Sequence, residues 1–354
     1  MSQSFLQIQP PHATKHPVND TRHGITRTDD YAWLRADNWQ DVFKDPPSVL
    51  SSEIRAHLEA ENAYQAALMK DTEALQKSLF AEMRARIKED DSSVPSKDGP
   101  YAYGVSYRTG GEQPYFIRTP RDGGAETILL DGDVEGKDKA YFRLASADHA
   151  PDHKLLIWGG YDDKGSEFYK LKVRDLSSMK DLEDIVTDTN GGGAWDAQSE
   201  GFFYTRLDEN HRPSKVFYHR IGTAQSDDRL IYEEKDPPGF FLGVGGSALD
   251  DYIFIDIHDH ETSECWLLPA SDPAAKPQLV MKRKTGTEYD IAPGGDVFYI
   301  LTNADGAKDF KICQAPASAP PPAGKLGRGG GGKAGTADPV AFGLQASPCL
   351  DGTR

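Results

Sequence analysis

The chain has 354 residues and 40 Lys and Arg against 56 Asp and Glu, a formal net charge of −16. That length suffices for two domains or one large repeat domain, and the acidic balance excludes nucleic acid and anionic membranes as expected partners, because phosphates would repel it. No apolar run reaches bilayer length and Met1 to Pro17 carries no apolar signal region, while Cys265, Cys313 and Cys349 are few, odd in number and far apart, as expected for a reducing cytoplasmic setting with no disulfide framework.

Residues 1 to 45 read as polar and irregular, broken by Pro10, Pro11 and Pro17. Within them Asp29-Asp30-Tyr31-Ala32-Trp33-Leu34-Arg35 reads as an aromatic anchor beside a charged turn, packing against something larger. From about Ser48 to Ile87 the pattern is helical: Leu50, Ile54 and Leu58 recur at i+4, and Leu75, Leu79, Met83 and Ile87 form a second stripe. Asp45-Pro46-Pro47-Ser48 is a plausible start. A break is expected near Lys70-Asp71, with Asp71 or Thr72 as cap. Both stripes are read as docking surface.

Charge, Ser and Pro over Ile87 to Pro95 mark the first boundary. Tyr101 to Tyr107, Tyr115 to Arg118 and Ile128 to Asp131 then give a hairpin and a third strand. A unit repeated about four times follows. Its second β-runs are centred on Leu156, Phe203, Ile253 and Phe298, spaced 47, 50 and 45 residues apart. Third runs (Phe168–Leu171, Val216–Tyr218, Cys265–Leu268, Phe310–Ile312) come about 14 residues later, after polar turns such as Asp162-Asp163-Lys164-Gly165 and Asp208-Glu209-Asn210. Fourth runs are Ile185–Val186, Leu230–Tyr232 and Leu279–Met281. Short strands at that period predict a β-propeller, in which each blade buries its faces only against its neighbours. A β-sandwich is the alternative fold.

The pattern stops after Ile312. Residues 314 to 354 hold 9 Gly, 8 Ala and 6 Pro in 41 positions, a composition that cannot bury enough apolar surface to offset its ordering entropy. It predicts a tail foreign to the fold, as when a reading frame shifts. Three regions are expected: an extended and helical segment over 1–90, a partial propeller over 91–313, and a disordered tail over 314–354.

The motifs in the first third, in order, are Asp29 to Arg35, Leu58-Glu59-Ala60-Glu61-Asn62-Ala63-Tyr64, Glu82 to Asp91 and the tyrosine-rich first hairpin. Together they resemble the N-terminal half of oligopeptidase B, a trypsin-like group within the prolyl oligopeptidase family of serine peptidases. The resemblance covers roughly residues 5 to 313. It implies a seven-bladed propeller, an N-terminal helical segment packed on a C-terminal α/β-hydrolase domain, and cleavage of short peptides after Arg or Lys. The chain departs from that pattern in two ways. About five of the seven blades are encoded, and no serine sits in the G-x-S-x-G elbow that carries the nucleophile. Gly245-Gly246-Ser247-Ala248-Leu249 comes nearest and fails at Leu249. The hydrolase domain is therefore expected to be absent, no catalytic residue is assigned, and no peptidase activity is expected from this chain alone.

The remaining constellations have structural readings. His258-Asp259-His260-Glu261 reads as a solvated turn rather than a metal site. Gly191-Gly192-Gly193 and Gly243-Val244-Gly245-Gly246 precede no helix and so form no phosphate cradle; they are expected to allow close approach of blade strands. Gly159, Gly160 and Trp158 read as inner-strand packing. Asp148, Asp152, Asp196, Asp250 and Asp251 read as turn residues. No metal or cofactor is called for. Two functions follow as expectations. One is the substrate-gating propeller of an oligopeptidase B-like peptidase, with short basic peptides as partners and a separate α/β-hydrolase half as a further partner. The other is a free-standing propeller that binds a peptide or protein.

Overall fold

A computed structural model describes residues 8–44, 49–161, 167–235 and 239–317. The region before residue 45 is more regular than expected. Strands β1 (Val18–Arg22) and β2 (Ile25–Asp29) pair as a hairpin. Its two-residue loop, His23 and Gly24, has positive φ at both positions, the type I′ geometry that matches strand twist. Every residue of both strands is exposed, so no apolar alternation announces them. A 3₁₀ turn (Ala32–Leu34) and α1 (Trp39–Lys44) follow.

Helix α2 (Ser52–Met69) is capped by Ser51, whose side chain accepts from the Ile54 N–H; the start read at Asp45 to Ser48 lies outside the described residues. The break comes at a 3₁₀ turn over Lys70–Thr72, and α3 (Glu73–Arg84) continues beyond it. Thr72 occupies the cap position without capping: its hydroxyl donates to the Met69 carbonyl at 2.6 Å, where the ending helix leaves a free acceptor. The Trp33 anchor packs on α2. Its ring meets His57 and His16 edge-on, and its Nε1 donates to the Thr14 carbonyl at 2.8 Å.

Five blades follow, all antiparallel within themselves. Blade 1 is β3 (Ser96–Asp98), β4 (Tyr101–Ser106), β5 (Tyr115–Pro120) and β6 (Thr127–Asp131). A short helix, α4 (Gly132–Glu135), is capped by the Asp131 carboxylate. Blade 2 is β7 (Arg143–His149), β8 (Leu155–Tyr161), β9 (Tyr169–Asp175) and the first part of β10 (Lys180–Trp195). The rest of β10 opens blade 3, with β11 (Gly201–Leu207), β12 (Pro213–Arg220) and β13 (Arg229–Glu233). Thus Ile185 and Val186 of β10 pair with β9, while Gly193 to Trp195 pair with β11. Blade 4 is β14 (Phe241–Gly246), β15 (Tyr252–His258), β16 (Ser263–Pro269) and β17 (Gln278–Met281), and blade 5 is β18 (Tyr289–Pro293), β19 (Val297–Thr302) and β20 (Lys311–Pro316). The sandwich alternative is thereby excluded. Gln314 to Pro316, read as the start of the tail, instead complete β20 and pair with β19, because Ala315 packs into the core of blades 4 and 5; the Asp162–Gly165 turn and residues 318–354 lie outside the described residues.

Adjacent side chains on a strand point to opposite faces, and each face of a middle blade meets a different neighbour. Leu156 and Trp158 of β8 pack with Leu129 and Leu130 of blade 1, whereas Ile157 between them packs with Trp195 and Phe202 of blade 3. Ile253, Ile255 and Ile257 of β15 face Phe203 of blade 3, and Phe254 faces Phe298 and Ile300 of blade 5. Four apolar cores hold the five blades in an arc. Because both faces are covered, the second strands read as unbroken apolar runs rather than alternating ones. A fully buried residue of this kind contributes about 1.5–3 kcal/mol.

Candidate functional site

Ser247, the residue nearest to a nucleophile elbow, is held in the β14–β15 turn. Its hydroxyl donates to Asp251 Oδ1 at 2.5 Å and accepts from the backbone N–H groups of Asp251 and Tyr252 at 3.0 Å. All of its hydrogen-bonding capacity is thus used in shaping a turn, and no histidine hydrogen-bonds to it among the described residues. His219 is the most enclosed histidine: its Nδ1 meets Asp228 at 2.7 Å and its Nε2 meets Asp184 at 3.2 Å. Burial opposes the imidazolium, but the two carboxylates outweigh it and hold the pKa above the ordinary value. Tyr204 donates to Asp228, and the Gly222 N–H to Asp184. The group is a buried strut that joins blade 3 to the outer strand of blade 2 through Asp184, with no opening for a substrate.

His258 ends β15, and Asp259 closes the turn after it, accepting from the backbone N–H of Glu261 and Thr262. Asp152, Asp196 and Asp251 are turn residues as read: Asp196 Oδ1, for example, accepts from the Gln198 and Glu200 N–H groups. Asp148 is not; it lies inside β7, paired with Ile157. The two glycine runs also differ. A Cβ on Gly159 would sit 2.0 Å from the Gly191 carbonyl oxygen, and Gly191 has φ +92°, so strands do approach closely there. Around Gly245 and Gly246 there is open space, with nothing within 4 Å of a built Cβ. The close-approach reading fails for that run, where the backbone borders an opening instead of another strand.

A different set of residues is brought together where the innermost strands of blades 1 and 2 end. Asp98 terminates β3 and His149 terminates β7, and His153 follows in the β7–β8 turn. His149 Nε2 lies 2.7 Å from Asp98 Oδ2. Tyr103 of β4 stacks flat on the His149 ring, centroids 3.5 Å apart at 5°, and its hydroxyl is 2.9 Å from His153 Nδ1. Arg118 donates to the His153 carbonyl at 2.8 Å and lies over the Tyr101 ring. Burial pushes the Tyr103 hydroxyl up to about 12 and His153 below its ordinary value. Asp250, exposed at the β14–β15 turn, faces the same opening: loss of solvation among the surrounding strands, then the charge of Asp98, push its carboxyl up. Sequence reasoning passed over this group. Its partners lie about 50 residues apart, and the one visible signal was the His149-x-x-x-His153 spacing.

The second feature is an apolar surface on the helical segment. Leu75, Leu79, Phe80, Met83 and Ile87 are all exposed, Ile87 at 66%. The segment is tied to blade 1 through Glu89, which accepts from the Gly110 N–H at 2.9 Å and pairs with Arg84 at 2.6 Å. A stripe of this size left uncovered is the mark of a protein interface. Among the described residues no helix is long and apolar enough to cross a membrane.

The comparisons with known proteins agree with one another. The family model for the N-terminal β-propeller domain of prolyl oligopeptidase matches residues 10–325. Dipeptidyl aminopeptidase BI of Pseudoxanthomonas mexicana is 33% identical over 87% of this chain and 43% of its own length. Protease 2 of Moraxella lacunata is 28% identical over 86% of this chain, again 43% of its own length. The structure of oligopeptidase B from Leishmania major superposes with a TM-score of 0.78 at 29% identity, over 89% of this chain and 45% of that one. The chain therefore spans somewhat under half the length of these relatives.

Proposed function

The chain belongs to the prolyl oligopeptidase family, and from that premise we propose that it is the substrate-gating propeller of an oligopeptidase B-like serine peptidase, one that cleaves short peptides after Arg or Lys. The observation that carries the reading is the uncovered stripe of Leu75, Leu79, Met83 and Ile87 beside a propeller arc. It supports a catalytic α/β-hydrolase unit as the cover for that stripe. In this reading the propeller filters peptides by size, the net charge of −16 favours basic ones, and the protein works in the cytoplasm. The chain alone is inert, because hydrolysis of an amide needs an activated nucleophile, a base and an oxyanion hole acting together. Ser247 cannot supply the first, being fully engaged in its turn.

The test is an assay of the homogeneous chain with an arginyl reporter peptide, alone and mixed with a separately produced hydrolase half of a homologous peptidase. No turnover by the chain alone, and binding of the hydrolase half through the helical stripe, are the expected results. Turnover by the chain alone, blocked by a serine-directed inhibitor, would overturn the reading.

A further inference from the structure

We propose that Asp98, His149 and His153 form a binding site for a divalent transition-metal ion of the zinc type, clipping blade 1 to blade 2 at the ends of their innermost strands. The three side chains offer ligand atoms that all lie within 4.8 Å of one another. His149 Nε2 and Asp98 Oδ2 are already 2.7 Å apart. Two imidazoles and one carboxylate make a borderline-soft N₂O donor set, which suits Zn²⁺, Ni²⁺ or Co²⁺ rather than Ca²⁺ or Mg²⁺, both of which prefer all-oxygen shells.

The surroundings resemble the outer shell of a metal site. Ligand histidines are normally oriented by a second contact. Here Tyr103 supplies it twice, stacking on His149 and reaching His153 Nδ1 at 2.9 Å. The opening is accessible, since Asp98 and both histidines are half-buried rather than enclosed. Gly99 has φ +49°, and a Cβ there would lie 2.2 Å from His153 Nε2. Only glycine at that position lets the ring come down beside Asp98. With three protein ligands, a tetrahedral ion keeps one position for water or for a donor atom of a passing peptide. The ligands come from two blades, so the bound ion ties the first inter-blade seam together.

The experiment uses the full chain, stripped with EDTA, dialysed and titrated with ZnCl₂ alone against a chromogenic zinc indicator. A parallel Co²⁺ titration is followed by visible absorption. One equivalent of Zn²⁺ is expected, with a melting temperature that rises on saturation because the ion binds the folded state. Co²⁺ should give the intense d–d bands of a tetrahedral site. His149→Ala, His153→Ala and Asp98→Asn should each weaken binding roughly tenfold or more, and the His258→Ala/His260→Ala double variant should bind as the parent does. The melting curve of each variant in EDTA shows that it is folded. His153→Gln, on the turn, replaces His149→Ala if the latter is not. The proposal is overturned if the parent takes up no stoichiometric Zn²⁺, or if the folded site variants bind it unchanged while the His258/His260 variant loses it.

Discussion

Phe202 and Phe203 are neighbours in sequence, both fully buried, and belong to different cores: Phe202 packs with Ile157 and Leu171 of blade 2, and Phe203 with Leu242 and Ile253 of blade 4. The pleat alone separates them. Truncating either should cost about 3–5 kcal/mol but at different seams. In native-state hydrogen exchange, Phe202→Ala should deprotect blades 2 and 3, and Phe203→Ala blades 3 and 4. Identical exchange patterns for the two variants would show that the blades unfold as one unit.

The buried strut predicts a pH dependence. His219 has a raised pKa in the fold because Asp228 and Asp184 outweigh the effect of its burial. The folded state therefore holds its proton more tightly than the unfolded one. The resulting stability is fully present below the unfolded value of about 6.5 and is lost as pH rises through the folded value. Melting temperatures of the parent and of His219→Gln, compared from pH 5.5 to 9, should converge with rising pH. A gap that widened toward alkaline pH would reverse the sign and refute the assignment.

Arg174 joins Asp181 at 2.8 Å and Glu135 at 2.7 Å and is only 11% exposed at its side chain. Arg174→Ala leaves two carboxylates partly buried without a counter-charge, so the loss in urea unfolding should lie near the low end of the roughly 3–5 kcal/mol seen when one buried partner is removed. The double variant with Asp181→Asn should lose less than the sum of the singles, because the groups share one network.

Ser247 should ignore a fluorophosphonate probe in the native protein. Ser247→Ala should cost about 1–3 kcal/mol by leaving the Asp251 and Tyr252 N–H groups without their acceptor. Labelling of the parent, abolished in the variant, is the outcome that would make it a nucleophile.

The helical stripe predicts self-association when the chain is made alone. Light scattering coupled to size exclusion should show oligomers or aggregate, and Leu79→Glu with Met83→Glu should move the population toward monomer. A parent that is already a well-behaved monomer would favour the free-standing binding module.

How much was legible follows from where the covering atoms come from. The second strands of the middle blades were visible because both of their faces are buried, which makes them apolar runs at a regular period, and the third strands followed from them by the polar turn between the two. The innermost strands were not. β7 reads Arg143-Leu144-Ala145-Ser146-Ala147-Asp148-His149 and β14 is rich in glycine; strands facing an opening need no apolar run. The β1–β2 hairpin was missed for the same reason, having no buried face at all. Of the candidate site, His149 and His153 carried a spacing and nothing more, Tyr103 read only as part of the first hairpin, and Asp98 carried no signal.

The repeat, the blade period and the helical break could be read from the residues alone. Each is assembled from local signals: hydrophobic periodicity and turn chemistry act within about 15 residues, and the runs they mark recur every 45 to 50. Tertiary structure alone decided which face of each strand meets which neighbour, that β10 serves two blades, and that Asp98 lies against His149 at 2.7 Å. Those relations depend on the twist and register that bring distant strand ends to one opening. Register is a property of paired strands, and no single strand encodes its partner.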